Sequence, residues 1–158
     1  MSKEFERRKK VADLSEEFSF ITNGSFHITG YKENRIDKKT GEKYDLLIAN
    51  IPLINHPIYG ETKITIREEY RELGLRYHYG WEKVKGGKQG RHITSFGNEP
   101  HPDGPWTVKN TEPYHHHHVP EEPIYRKDCE YIRSLKDVFE FVEEFLVYKN
   151  EYTQDINT

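Results

Sequence analysis

The sequence predicts an α+β fold: an antiparallel sheet of about five or six strands, one face covered by a C-terminal helix, with an N-terminal helix packed at an edge. Three observations predict it. Between residues 19 and 98 several segments alternate apolar and polar residues and are separated by polar or glycine-bearing turns, the period-two pattern of half-buried strands. Leu135, Val138, Phe139, Val142, Phe145 and Leu146 recur at helical spacing as one apolar stripe. Such a stripe has to lie on something, and a sheet with one apolar face is its natural partner.

Each element follows from its residues. Residues 3–18 are rich in helix formers, and Phe5, Val11, Ala12, Leu14 and Phe18 give an imperfect stripe. The cluster Arg7, Arg8, Lys9 and Lys10 on this helix reads as a solvated face or, less simply, as a contact for phosphates or an acidic partner. Phe18, Phe20, Phe26 and Ile28 around Asn23-Gly24 predict a hairpin. Residues 37–43 are a polar turn, and 44–54 a mostly apolar strand. On the strand from Lys63, alternation sets Ile64, Ile66, Glu68 and Tyr70 against Thr65, Arg67 and Glu69. On the next it sets Tyr77, Tyr79 and Trp81 against Arg76, His78 and Glu82, an aromatic row better suited to a core than to a base-stacking platform. Residues 85–90 form a glycine-rich turn, and 91–99 the return strand. Ser134 with Asp137 resembles a capping pair for a helix over 134–149.

With 158 residues the chain is read as a single domain able to bury a core without disulfide or metal staples. A net charge of −3 argues against a chain-wide nucleic-acid coat, although nine histidines counted as neutral would reverse that sign on mild acidification. One cysteine, Cys129, excludes an internal disulfide and fits a packed or surface thiol. No stretch approaches the roughly 20 apolar residues of a membrane span, and the start has no apolar leader core. A soluble, cytoplasmic protein without membrane association is the expectation.

The unusual stretch is 99–123, a predicted site loop rich in proline and histidine. Pro100–Pro123 holds six of the eight prolines and the consecutive residues His115, His116, His117 and His118. Loops of this length are usually functional or disordered, and the prolines favour function. Three uses of the histidines compete. As metal ligands, His101 with two of His115, His116 and His118, and a carboxylate from Glu68 or Glu69, would hold a divalent ion such as Zn, Mn or Mg. As acid and base they would cleave RNA through its 2′-hydroxyl with an arginine on the phosphate. As plain loop residues they would hydrogen-bond the backbone.

The succession EEY at 68–70, RYHYGW at 76–81, SFGNEPH at 95–101 and HHHHV at 115–119, followed by SLKDVFEFVEEF, resembles the TumE toxin family of prokaryotic toxin–antitoxin systems. The resemblance covers roughly residues 61–146. It implies a toxin neutralised by a co-encoded, DNA-binding antitoxin. Position by position, the family's motif residues fall on Glu69, Tyr70, Tyr77, Tyr79, Trp81, Asn98, Pro100, His101, His115, His116 and His118. The chain departs from the pattern at Gly97, where an Asp is common, at Pro102, which replaces a second His, and at His117, a variable position.

The resulting expectation is a ribonuclease with His101, His116, His118, Glu69 and Asn98 catalytic, and Arg76, Tyr79, Trp81 and Arg91 on the RNA. The alternatives are a non-catalytic metal- or protein-binding module and an RNA-modifying nucleotidyl or phosphoryl transferase. Alternation alone does not decide whether Glu68 or Glu69 enters the site.

Overall fold

Two helices lie on one face of an antiparallel meander in which every strand pairs with its sequence neighbour. The computed structural model describes residues 2–24, 27–87, 90–99, 116–119, 122–128 and 131–152, with the backbone alone for 27–29, 116–119 and 122–128. The elements are α1 (Lys3–Glu17), β1 (His27–Ile36), β2 (Lys43–Pro52), β3 (Thr62–Arg71), β4 (Gly74–Gly87), β5 (Gly90–Gly97), β6 (His116–Val119), β7 (Glu122–Asp128) and α2 (Leu135–Tyr148). The sheet order is β1-β2-β3-β4-β5-β6-β7. The α+β architecture is therefore as expected, with the sheet carried on to seven strands. The additional pairing comes from the histidine-rich span, where β6 adds to β5 and β7 to β6.

The period-two pattern fixes which residues meet the helices. Register places Ile51, Ile64 and Trp81 in one cross-strand row and Ala49, Ile66 and Tyr79 in the next. All six are buried, and with Phe96 they floor the core. Above them α2 supplies Leu135, Val138, Phe139, Val142 and Leu146, all buried as the helical spacing predicts. Phe139 stacks on Phe18 at 5.0 Å, so the end of α1 joins the same core. Ser134 Oγ accepts from the amide of Asp137, and the Asp137 carboxylate accepts from the amide of Arg133, which closes the predicted cap one residue upstream of the usual box.

Two expected elements differ, since the predicted site loop 99–123 contains β6 and the start of β7, paired in turn onto β5. Residues 18–20 do not form a strand: the Phe18 amide donates to Leu14 O and so finishes the last turn of α1. Asn23 then ties the chain to the sheet by donating to Pro52 O, and Gly24 takes a positive φ of 78°. Stacking of Phe18 on Phe139 outweighs its strand propensity. At the other end, His56 anchors the segment after α2. Its Nδ1 accepts from the amides of Ile58 and Tyr59, so Nε2 carries the proton and donates to Asn150 O at 2.7 Å.

The basic cluster on α1 is neither solvated as a whole nor free to bind phosphate. Arg8 pairs with Glu4 and Lys9 with Asp13 along the helix, while Arg7 reaches Asp45 and Lys10 reaches Glu68. Glu68 is fully buried, and its carboxylate also accepts from Tyr79 Oη at 2.5 Å and Tyr70 Oη at 2.6 Å. Burial, and after it the Glu68 charge, pushes both phenols well above their usual range. Removing the carboxylate strands two enclosed hydroxyls and one cation. Glu68→Ala is expected to lower the unfolding free energy by about 3 kcal/mol in urea titration, and a loss below about 1 kcal/mol would contradict this role.

Candidate functional site

The face of the sheet away from the helices carries charge where the helix face carries rings. Since successive side chains on a strand alternate, Arg67, Glu69 and Arg71 of β3 face away from the core that takes Ile66 and Glu68. Opposite them on β4 stand Arg76, paired in register with Glu69, and His78, paired with Arg67. Arg67, Glu69, Arg76, Tyr77, His78 and Glu99 line a small cleft on this face.

Glu69 lines this cleft, whereas Glu68 is buried on the core face. The Glu69 carboxylate is held on both sides. Arg71 approaches Oε1 at 2.6 Å and Arg67 approaches Oε2 at 3.0 Å. Arg71 is itself nearly buried and also holds Asp37 at 3.0 Å and Glu42 at 2.5 Å, locking the β1–β2 turn to β3. Set between two guanidiniums, the Glu69 carboxylate holds Arg67 and Arg71 along the cleft wall.

Asn98, expected among the catalytic residues, bonds the backbone. Its Oδ1 accepts from the Tyr77 amide at 2.8 Å and its Nδ2 donates to Leu75 O at 2.8 Å, which extends the β4–β5 ladder by side chain beyond Gly97. Glu99 leaves this clamp and meets His78 Nδ1 at 2.9 Å, both side chains being about one-third exposed (35%). The resulting imidazole–carboxylate pair is absent from the sequence-based set. It was nonetheless foreshadowed there, because alternation had put His78 on the Arg76 side and Glu99 lies inside the NEPH motif.

The other expected residues divide sharply. Tyr79 and Trp81 lie in the core, at 1% and 0% exposure, where neither ring has a surface for a base. Arg91 is exposed near the β4–β5 turn, six positions before Gly97, so roughly 20 Å of strand separates it from the cleft. Of the two expected arginines it is Arg76 that joins the cleft, and among the described residues no carboxylate pairs with it. His101 and His115 lie outside the described residues, as does Cys129. His116 pairs in register with Gly97, which pairs with His78, and His118 sits two positions further along β6 opposite Arg126. Among the described residues no three His, Cys, Asp or Glu side chains come together as metal ligands would.

The model of one protein family, described as toxin TumE, matches residues 27–146, from the first residue of β1 to the last turn of α2. The chain belongs to the TumE toxin family. No curated protein and no solved structure matches it significantly. Membership makes this TumE chain a toxin of a toxin–antitoxin system and implies an antitoxin partner. The family match includes every residue of the cleft, whereas α1 precedes it. Among the described residues no helix of this TumE protein is long and apolar enough to cross a membrane.

Two outcomes follow from the site's surroundings. Asn98→Ala is expected to cost about 1–2 kcal/mol, read by urea titration, since it removes two backbone hydrogen bonds. His92, whose ring is held down to about 4 by burial and secondarily by nearby His78, resists protonation in the folded chain. The unfolded chain takes up that proton near pH 6.5, so stability is complete above that pH and falls as pH drops toward 4. In His92→Gln the decline in the urea midpoint between pH 7 and 4.5 should be smaller, and equal declines in the two proteins would refute the assignment.

Proposed function

We propose that this TumE toxin cleaves RNA by acid–base transfer on the helix-free face, with His78 and His116 as the pair and Arg76 on the phosphate. The observation that carries the reading is the cross-strand row Arg67, His78, Gly97, His116. Two histidine positions stand two strands apart, roughly 10 Å between backbones, with a glycine between them. A scissile phosphate is small enough to lie between groups carried at two positions so spaced.

The roles follow from chemistry. Glu99 holds His78 through Nδ1 and fixes the orientation of the ring, and the proposed proton exchange with substrate runs through Nε2. One imidazole removes the 2′-hydroxyl proton as O2′ bonds to phosphorus. The other protonates O5′ as the P–O5′ bond breaks, leaving a 2′,3′-cyclic phosphate and a 5′-hydroxyl. Arg76, with no carboxylate of its own among the described residues, offsets the charge that develops on the phosphorane. A second, wider hollow shares Arg76 with the cleft and is lined by Lys3, Lys43 and Arg71 as well as Glu42, Asp45 and Glu72. His101 and His118 are carried as further contributors from the histidine-rich span, and the partner is the DNA-binding antitoxin that such systems encode.

His78→Gln and His116→Gln should each lower cleavage of cellular RNA by purified protein at least 100-fold and relieve growth arrest, with the melting temperature unchanged. Glu99→Gln should lower it about tenfold or more, because the imidazole loses the carboxylate that fixes its orientation. Intact RNA after incubation with the wild-type protein, with and without added Mn²⁺ or Zn²⁺, would overturn the nuclease reading.

A further inference from the structure

A second surface has no part in this chemistry. Tyr131, Ile132 and Phe141 form the floor of a groove beside the first half of α2, and Asp137, Glu140 and Glu144 rim it. Tyr131 is 67% exposed. Phe141 is only partly covered, its ring meeting Phe96 at 5.0 Å and Phe145 at 5.1 Å. Tyr148, one heptad beyond Phe141 on the same side of the helix, is also exposed, at 69%. Thus α2 carries two apolar stripes. The inner one is buried on the sheet, and the flanking one faces out beside carboxylates. Among the described residues neither Glu140 nor Glu144 has a cationic partner, whereas Lys136 on the same helix is taken by Glu17.

We propose that this groove docks the antitoxin through an amphipathic segment carrying lysine or arginine beside an aromatic or aliphatic anchor. Charge complementarity selects this occupant. Three carboxylates around an aromatic floor repel an acidic segment and attract a basic one, and an apolar anchor covers rings that water otherwise wets. The surface lies on the opposite side of the sheet from His78 and Glu99, so binding there does not depend on the ribonuclease reading. It rests only on membership of a toxin family, which requires a partner.

The experiment is calorimetric titration of the full-length toxin with the co-encoded antitoxin at low and physiological salt. Glu140→Lys combined with Glu144→Lys, and separately Tyr131→Ser, change exposed side chains, and thermal melts confirm that both proteins fold. Each should weaken binding at least tenfold, and raising the salt should weaken the wild-type complex more than the double variant. In cells, both variants should still arrest growth but escape neutralisation by the antitoxin. Binding within twofold of wild type by folded variants would overturn the proposal. So would loss of self-association in sedimentation with antitoxin binding intact, which would assign the groove to a second copy of the chain.

Discussion

The buried carboxylate of Glu68, holding Tyr70, Tyr79 and Lys10, and the neighbouring carboxylate of Glu69, holding Arg67 and Arg71, lie on opposite sides of one strand. A strand's pleat allows no other arrangement for adjacent residues. From that constraint the molecule divides. Glu68 draws α1 onto the core face through Lys10, and the same face takes the Ile64, Ile66, Tyr79 and Trp81 rows that α2 covers. Glu69 instead assembles guanidiniums on the other face, where Arg76 and His78 arrive by register from β4. A one-residue slip of β3 would exchange the two carboxylates and undo both sides.

On the helix-free face the arginines have unequal duties. Arg71 is consumed by Asp37, Glu42 and Glu69, and Arg67 by Glu69. Their charges are spent on holding the β1–β2 turn and the cleft wall in place. Among the described residues Arg76 stands beside them without such a partner, next to a histidine whose own carboxylate comes from just past the end of β5. Asn98 makes that last arrangement possible, because its side chain continues the ladder and delivers Glu99 to His78.

The architecture was legible wherever periodicity was strong. The split of Glu68 from Glu69, the inner stripe of α2, its Ser134 cap and the burial of the tyrosine–tryptophan row all follow from spacing. Residues 18–20 were not legible, since Phe18 and Phe20 read equally as alternation, and a tertiary stack with Phe139 decided for a helix end. The site was half legible. Composition drew attention to the histidine run and to Asn98, while the pairing of His78 with Glu99 joins residues 21 positions apart and depends on where β5 ends. Tyr79 and Trp81 show the converse difficulty. A motif match marks residues that matter without distinguishing those that build the core from those that touch a substrate. Gly97, at a position where the family commonly has an Asp, turns out to be the middle of the row between His78 and His116.

Proton transfer on a ribose-linked phosphate is the task proposed for the two histidine positions that flank Gly97 in the cross-strand row. The ends of the RNA fragments test it most directly. RNA treated with the purified toxin in the presence of a chelator should carry 2′,3′-cyclic phosphate and 5′-hydroxyl termini, resolved by mass spectrometry. Fragments bearing 5′-phosphate and 3′-hydroxyl ends, or cleavage that stops when the chelator is added, would contradict the account.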